Sequence, residues 1–253
     1  MTIYYSVVLF IFGTVFGSFY NVVGYRLPKG ESLVKPSSHC PNCNHKLKSY
    51  ELVPIFSFLF LGRKCLCCKQ KISWFYAIFE FLTGVLFALS YLVFGFSIDF
   101  WIAITLSSML IIIIISDYQT MTISDEVLIF GLVLFIIELF IKNGFNGLLL
   151  NLLDGFICFA SMLLLKLFGD FVFKRESMGG GDIKLMFLIG MILGWQMGLM
   201  SVVIAAFIAL PVSLIILVLK KDHELPFGPF LSIATLIIFF SQVNIDFILH
   251  LFY

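Results

Sequence analysis

The sequence predicts an all-α polytopic membrane protein with about eight transmembrane helices and a small zinc-ribbon-like cytoplasmic loop domain. Three observations lead to this prediction. Of the 253 residues, 61% are hydrophobic and only 12% are charged, whereas about a quarter of the residues in a soluble domain are charged. Apolar runs recur along nearly the whole chain. Four cysteines form two paired motifs within one long basic segment.

A transmembrane helix needs about 20 mostly apolar residues. The first apolar run has no basic segment before it, since the first cation is Arg26, so we expect a retained helix rather than a cleaved signal peptide. The chain then divides into a first transmembrane helix at 1–25, a cytoplasmic tetracysteine loop domain at 26–73 and a transmembrane domain at 74–253. The candidate spans are 4–23, 75–95, 100–116, 126–142, 145–168, 183–199, 200–219 and 229–250.

The basic residues predict the orientation. With the N-terminus outside the cell, fifteen of the sixteen lysines and arginines fall on cytoplasmic segments, and only Lys142 lies outside. Cytoplasmic loops carry the excess of lysine and arginine in membrane proteins. We therefore expect a multi-pass membrane protein with an outside N-terminus. The net charge of +1 says little about partners; we expect the lipid bilayer as a partner and no nucleic acid.

The cytoplasmic loop carries a metal-site pattern. Cys40 and Cys43 form one C-x2-C pair, and Cys65 and Cys68 form a second. Such a pair brings two sulfurs to one metal from a tight turn, and four thiolates complete a closed structural zinc site. The alternative is four free thiols or disulfides. Cys158, in the fifth span, is expected to be a small buried hydrophobe.

Two aspartates lie where a long apolar run meets a short polar loop. The third span ends at Asp117, and the sixth begins at Asp182. The predicted topology places both at the cytoplasmic boundary, although 64 residues separate them. A carboxylate near hydrocarbon costs roughly 3 kcal/mol on insertion scales, so such residues usually have a function. Asp125, eight residues after Asp117, is the competing candidate.

A pair of such carboxylates can hydrolyse an amide. At about 5 Å the two charges repel by roughly 3 kcal/mol at an effective dielectric of 20, and burial adds to this, so the pair holds one proton near neutral pH. The ionised partner can then take a proton from water while the protonated partner donates to a peptide carbonyl. Gly179 and Gly181, just before Asp182, would let the backbone approach another segment closely.

Five segments in order resemble the type IV prepilin peptidases, a family of membrane aspartic proteases with a G-x-G-D motif. The similarity covers nearly the whole chain, but Ser124 stands where the family usually has proline. The segments are Gly17–Pro28, like the family's first helix; His39–Cys43 with Cys65 and Cys68, like its tetracysteine domain; Asp117–Asp125, like its first aspartate motif; Gly179–Leu185, like G-x-G-D; and Pro226–Phe230, like its last-helix entry.

The resemblance implies an endopeptidase whose catalytic residues are Asp117 and Asp182, with residues 74–253 as the peptidase domain. It implies as substrate a prepilin or pseudopilin of a type IV pilus, secretion or competence system, whose short basic leader is cut after a glycine at the cytoplasmic face. It also implies a location in the bacterial cytoplasmic membrane and N-methylation of the new N-terminus with S-adenosylmethionine. No Rossmann glycine fingerprint is visible, so methylation rests on the resemblance alone.

Three questions stay open from the sequence. Lys184 either stabilises the charge of the aspartate pair or the oxyanion, or merely follows the positive-inside bias. A lipid-phosphate transferase would use the aspartates to hold Mg²⁺, although that chemistry usually clusters its carboxylates on one segment. A transporter with a zinc-bound loop would place its polar residues near the bilayer midplane, whereas here the carboxylates collect at one face.

Overall fold

The computed structural model describes residues 1–40, 42–60, 62–174, 176, 178–219 and 225–242, and their regular structure is helical apart from two isolated β-bridges. The predicted all-α class is confirmed. Arg175, Lys220, Lys221 and residues 243–250 of the last predicted span lie outside the described residues. The helices are α1 (Thr2–Arg26), α2 (Phe56–Phe60), α3 (Trp74–Phe94), α4 (Ile98–Thr120), α5 (Asp125–Phe173), α6 (Gly180–Leu193), α7 (Trp195–Val218) and α8 (Gly228–Ser241).

Five helices within the described residues are long and apolar enough to cross a membrane, namely α1, α3, α4, α5 and α7. Helix α5 has 49 residues and is interrupted at Gly144, whose φ is 68° and ψ is −172°. The interruption falls between the predicted spans 126–142 and 145–168, so α5 contains both. The predicted span 183–199 is wrong in its extent, because α6 ends at Leu193 and Gly194 (φ 80°) separates it from α7. The polytopic class is confirmed, and the number of eight spans stays a prediction.

The chain forms two compact units, Met1–Ile115 and Ser116–Tyr253. The predicted division at residues 25 and 73 stays a prediction. In the first unit, α1 packs closely on α3, because the glycines at the contact leave no side chain between the backbones. A Cβ on Gly13 would lie 2.7 Å from the Cα of Gly84, and one on Gly17 would lie 2.8 Å from the Cα of Glu80. Small residues allow the same close approach between membrane helices in general.

The second unit is built on the contact of α5 with α6. A Cβ on Gly190 would lie 2.8 Å from the carbonyl oxygen of Asp154, so the two backbones touch there. Cys158 is fully buried beside Gly190 and Gly198, and its predicted role as a small buried hydrophobe is confirmed. This contact sets the direction of α6, whose first turn carries Asp182.

Candidate active site

Asp117 lies in the last turn of α4, after the apolar run Ile111–Ile115. Helix α4 stops three residues later, because Met121 adopts a left-handed conformation (φ 54°) and its N–H bonds to the carbonyl of Asp117 at 2.9 Å. Only 6% of Asp117 is exposed. The polar side chain is therefore held at the end of an apolar helix and away from solvent.

Asp182 is the third residue of α6, which begins after the N-cap residue Gly179. It is 8% exposed. A Cβ on Gly181 would lie 2.8 Å from the Cβ of Ile123, so the lack of a side chain at Gly181 lets the start of α6 contact the short connection between α4 and α5. That contact brings the first turn of α6 to the end of α4.

Gly228, the first residue of α8, completes the arrangement. Its backbone N–H donates a hydrogen bond of 3.0 Å to Oδ2 of Asp117. A Cβ built on Gly228 would lie 2.5 Å from this Oδ2 and 3.5 Å from Oδ1 of Asp182. Since both oxygens are measured from the same point, the distance between Oδ2 of Asp117 and Oδ1 of Asp182 cannot exceed the sum of these two distances, 6.0 Å. The two aspartates predicted as a pair thus lie together.

The surroundings of the two carboxylates differ. Asp117 faces the N-terminal end of α8, where the free N–H groups and the helix dipole favour negative charge. Oδ1 of Asp182 is buried and has no hydrogen-bond partner among the described residues. Two negative charges no more than 6.0 Å apart repel by at least about 3 kcal/mol at an effective dielectric of 20. The arrangement therefore favours one charge shared by the pair, held mainly on Asp117.

Asp125 and Lys184 lie outside this pair. Asp125 begins α5, and both its carboxylate oxygens accept hydrogen bonds from Nζ of Lys184, at 2.7 and 2.8 Å. The two side chains are more than half exposed, at 58% and 53%. The competing candidate Asp125 thus takes part in a surface ion pair, and Lys184 points its charge at Asp125.

The four predicted ligand cysteines converge in the first unit. The Sγ atoms of Cys40, Cys43, Cys65 and Cys68 all lie within 4.8 Å of one another, and the Cys40–Cys68 and Cys43–Cys65 distances are 3.8 Å. Four sulfurs at about 2.3 Å from a tetrahedral zinc ion would be about 3.8 Å apart. None of the described cysteines forms a disulfide. The cluster can hold a metal ion.

The two cysteine pairs lie in matching turns, which explains how they converge. Cys40 donates its N–H to the carbonyl of His45, and its own carbonyl accepts from Asn44; Cys65 does the same with Gln70 and Lys69. Both Asn44 and Lys69 have a left-handed backbone, with φ of 54° and 59°. Each turn points two sulfurs to one side, as a metal site requires.

Two of the clustered thiols have pKa values that are shifted in opposite directions. Hydrogen bonds from the backbone of Gln70 and the side chain of Asn42 lower the pKa of Cys68 to about 6. A hydrogen bond from the His45 backbone favours the Cys43 thiolate, but burial and the adjacent thiols outweigh it and raise the pKa of Cys43 to about 12. A metal ion bound between the sulfurs would favour the thiolate form of its ligands.

Comparison with known proteins decides the family. The pattern described as "Type IV leader peptidase family" matches residues 103–214, and "Bacterial Peptidase A24 N-terminal domain" matches residues 11–94. A prepilin leader peptidase/N-methyltransferase of Bacillus subtilis (strain 168) is 35% identical over 236 residues, which are 91% of this chain and 92% of the relative. The chain belongs to the type IV leader peptidase family.

Two further relatives of this leader peptidase carry the same name. The protein from Pectobacterium carotovorum subsp. carotovorum is 30% identical over 88% of each chain, and the one from Neisseria gonorrhoeae is 30% identical over 93% of this chain and 90% of the relative. No solved structure matches the chain. The predicted family and enzyme class are confirmed, and the matches do not favour the transferase or transporter alternatives.

The three glycines before Asp182 have different surroundings in the structure. A Cβ on Gly179 would make only an ordinary contact, 3.6 Å from Oδ2 of Asp182, and one on Gly180 would meet nothing within 4 Å. Only Gly181 is required by close packing. The expectation that glycine permits close approach therefore holds at Gly181, whereas at Gly179 the space for a side chain is present.

Gly228 is the site residue that sequence reasoning did not identify. The segment Pro226–Phe230 was noted only for its resemblance to the family's last-helix entry. A proline just after Gly228 does predict a helix start here, because the fixed φ angle of Pro229 suits the first helical turn. No feature of the sequence around Gly228 predicts its contact with Asp117, which lies 111 residues earlier.

Proposed function

We propose that Asp117 and Asp182 are the catalytic pair with which this leader peptidase removes the short basic leader of a type IV prepilin or pseudopilin. One observation carries the proposal: two buried carboxylates from α4 and α6 lie within 6.0 Å of each other beside the first N–H of α8. The substrate class follows from the relatives, which are named prepilin leader peptidase/N-methyltransferase.

In the proposed mechanism, Asp117 is the general base and Asp182 the general acid. The hydrogen bond from Gly228 stabilises the charged form of Asp117, which takes a proton from the attacking water. Asp182 holds the shared proton and donates it to the oxygen of the scissile carbonyl. Collapse of the tetrahedral intermediate breaks the C–N bond. Asp182 takes a proton back from a hydroxyl group of the intermediate as the carbonyl of the new carboxyl group forms, and the proton held by Asp117 passes to the leaving amine. The pair is then back in its starting protonation state.

We further propose that the cut lies at the cytoplasmic face of the bacterial inner membrane and that the N-terminus is outside. The distribution of the basic residues supports both. The leader is basic and lies ahead of an apolar helix, so the scissile bond would sit where the leader meets the bilayer. The relatives are named prepilin leader peptidase/N-methyltransferase, which supports N-methylation of the new N-terminus as a second activity of this chain, with S-adenosylmethionine as the proposed methyl donor.

The test is co-expression of the full chain with a candidate prepilin, followed by mass analysis of the prepilin N-terminus. We expect loss of the leader after a glycine and the added mass of one methyl group on the new N-terminus. An intact leader with every candidate prepilin would contradict the peptidase proposal. A cleaved but unmethylated product would contradict only the methyltransferase part.

We propose zinc as the metal held by Cys40, Cys43, Cys65 and Cys68, in a structural role. Replacing Cys40 with serine is expected to reduce the zinc content of the purified full chain from about one ion per chain to near zero, because a structural site needs all four ligands. The measurement is elemental analysis, together with limited proteolysis of the loop at 26–73. Cys67→Ser is the matched control, since Cys67 is exposed and lies outside the cluster. Full zinc content in Cys40→Ser would refute the site.

We propose that Lys184 acts only through its ion pair with Asp125. Replacing Lys184 with methionine is expected to change the rate of leader removal by less than about five-fold, because an exposed ion pair is worth at most about 1 kcal/mol. The measurement is the rate of leader removal from a prepilin in membranes. Asp125→Asn removes the same pair from the other side and should give the same rate. A much larger loss with Lys184→Met alone would mean that its charge acts on the aspartate pair directly.

A further inference from the structure

Helix α2, within the loop between α1 and α3, has two apolar faces that meet different surroundings. Phe58 points inward and is buried, with its ring 4.9 Å from that of Trp74. Phe56, Leu59 and Phe60 lie on the opposite face at helical spacing and are exposed, Phe60 at 84%. The rings of Phe56 and Phe60 stack on each other 6.4 Å apart. The outward face is thus a continuous apolar surface that the described residues do not cover.

The contacts of α2 place it beside a membrane helix. The N–H of Ile55, just before α2, donates a hydrogen bond of 2.8 Å to Oε2 of Glu80. Glu80 lies at the end of the second turn of α3, about 9 Å along the axis from Trp74 at a rise of about 1.5 Å per residue. Phe58 contacts Trp74 itself. Helix α2 therefore runs alongside the first two turns of α3, which is long and apolar enough to cross a membrane.

The backbone at this contact is held in an unfavourable conformation. Ile55 has a φ of 61°, which is rare for a β-branched residue. The hydrogen bond to the buried carboxylate of Glu80 stabilises this conformation. Since the turn at Ile55 determines where α2 begins, it fixes the helix against α3 and leaves its second apolar face pointing outward.

The charges around α2 match a lipid surface. The segment from Leu52 to Phe79 contains no acidic residue and four basic ones. Three of these, Lys64, Lys69 and Lys71, are exposed on the cysteine turn that follows α2. Trp74 begins α3, as aromatic residues do where a helix enters the bilayer. Exposed lysines next to an apolar face are typical of segments that bind anionic bilayers.

We propose that α2 is a membrane anchor of the cysteine loop. Phe56, Leu59 and Phe60 insert into the leaflet that α3 enters at Trp74, and Lys64, Lys69 and Lys71 contact anionic lipid headgroups. The occupant of this face is the acyl-chain region of the bilayer. The anchor holds the metal-binding turns at the membrane surface, and it does not depend on the identity of the catalytic residues.

The test is photo-crosslinking in the full chain, with a photoreactive phenylalanine analogue placed at Phe60. The protein is reconstituted in vesicles of phosphatidylcholine and phosphatidylglycerol, and the lipid adduct is measured by mass analysis. Phe168, exposed on the membrane helix α5, serves as the positive control. Gln70, exposed on the second cysteine turn, is the negative control within the same loop.

We expect the lipid adduct at position 60 to be comparable to that at position 168 and roughly ten-fold above that at position 70, since only the first two would face acyl chains. Provided that the positive control at position 168 forms its lipid adduct, any one of three results would overturn the proposal that α2 is a membrane anchor. They are a crosslink from position 60 to a second copy of the chain, a crosslink to added prepilin, and no adduct at position 60 above that at position 70.

Discussion

Replacing Asp117 or Asp182 with asparagine is expected to lower the rate of leader removal by about 100-fold to 10,000-fold, the usual contribution of a general acid or base. Asparagine keeps the shape of the side chain, and its oxygen can still accept the hydrogen bond that Gly228 donates to Asp117. It cannot take up or release the proton that the mechanism moves. The measurement is the rate of leader removal from a prepilin by each variant in membranes.

Thermal unfolding of the same variants separates a catalytic role from a structural one. Because the two carboxylates repel each other in a buried site, neutralising one of them is expected to leave the unfolding temperature unchanged or raised. Asp99→Asn, at the opposite end of α4, is the matched control and should keep full activity. Full leader removal by either Asp117→Asn or Asp182→Asn would end the proposal of a catalytic pair.

Replacing Gly228 with alanine is expected to lower the rate of leader removal by about 100-fold, the cost of displacing a catalytic group by about 1 Å. The new Cβ would lie 2.5 Å from Oδ2 and 3.2 Å from Cγ of Asp117. The carboxylate or the start of α8 must move, and the hydrogen bond between them is lost. Leader removal in membranes measures this effect.

The glycines near Asp182 offer a graded comparison. Gly180→Ala is the matched control, because its Cβ would meet nothing within 4 Å and alanine favours the helix over glycine by up to about 1 kcal/mol. The rate of leader removal by Gly181→Ala should fall between the rates of Gly228→Ala and Gly180→Ala, because its Cβ would lie 2.8 Å from the flexible side chain of Ile123. Equal rates for Gly228→Ala and Gly180→Ala would show that the contact of Gly228 with Asp117 has no catalytic importance.

The candidate pair could be predicted because each aspartate has a local signature. Asp117 follows an uninterrupted apolar run, and Asp182 follows three glycines and precedes another apolar run. Their positions at the ends of the third and sixth predicted spans placed them at one face of the membrane. Asp125 has a similar local setting, and sequence reasoning from topology could not exclude it. Its exposure and its bond to Lys184 became visible only in the structure.

The cysteine cluster could be predicted in more detail. A C-x2-C turn determines its own geometry through short-range hydrogen bonds, such as that from Asn44 to Cys40. The apolar stretch 52–61 between the pairs is too short to span a membrane. From its sequence alone it could either lie against the membrane or form a small core beside the metal. In the structure, Phe58 is packed inward while Phe56 and Phe60 are exposed, so the described part of the segment has features of both.

The sequence by itself determined the membrane class and predicted the four clustered cysteines and the two buried acids, because hydropathy, cysteine spacing and span ends are properties of neighbouring residues. Only the tertiary structure decided that Gly228 bonds to Asp117, that Lys184 faces Asp125, and which glycine before Asp182 is needed for packing. These contacts join residues 58 to 111 positions apart. They depend on how α4, α5, α6 and α8 pack against one another, and no local pattern in the chain encodes that packing.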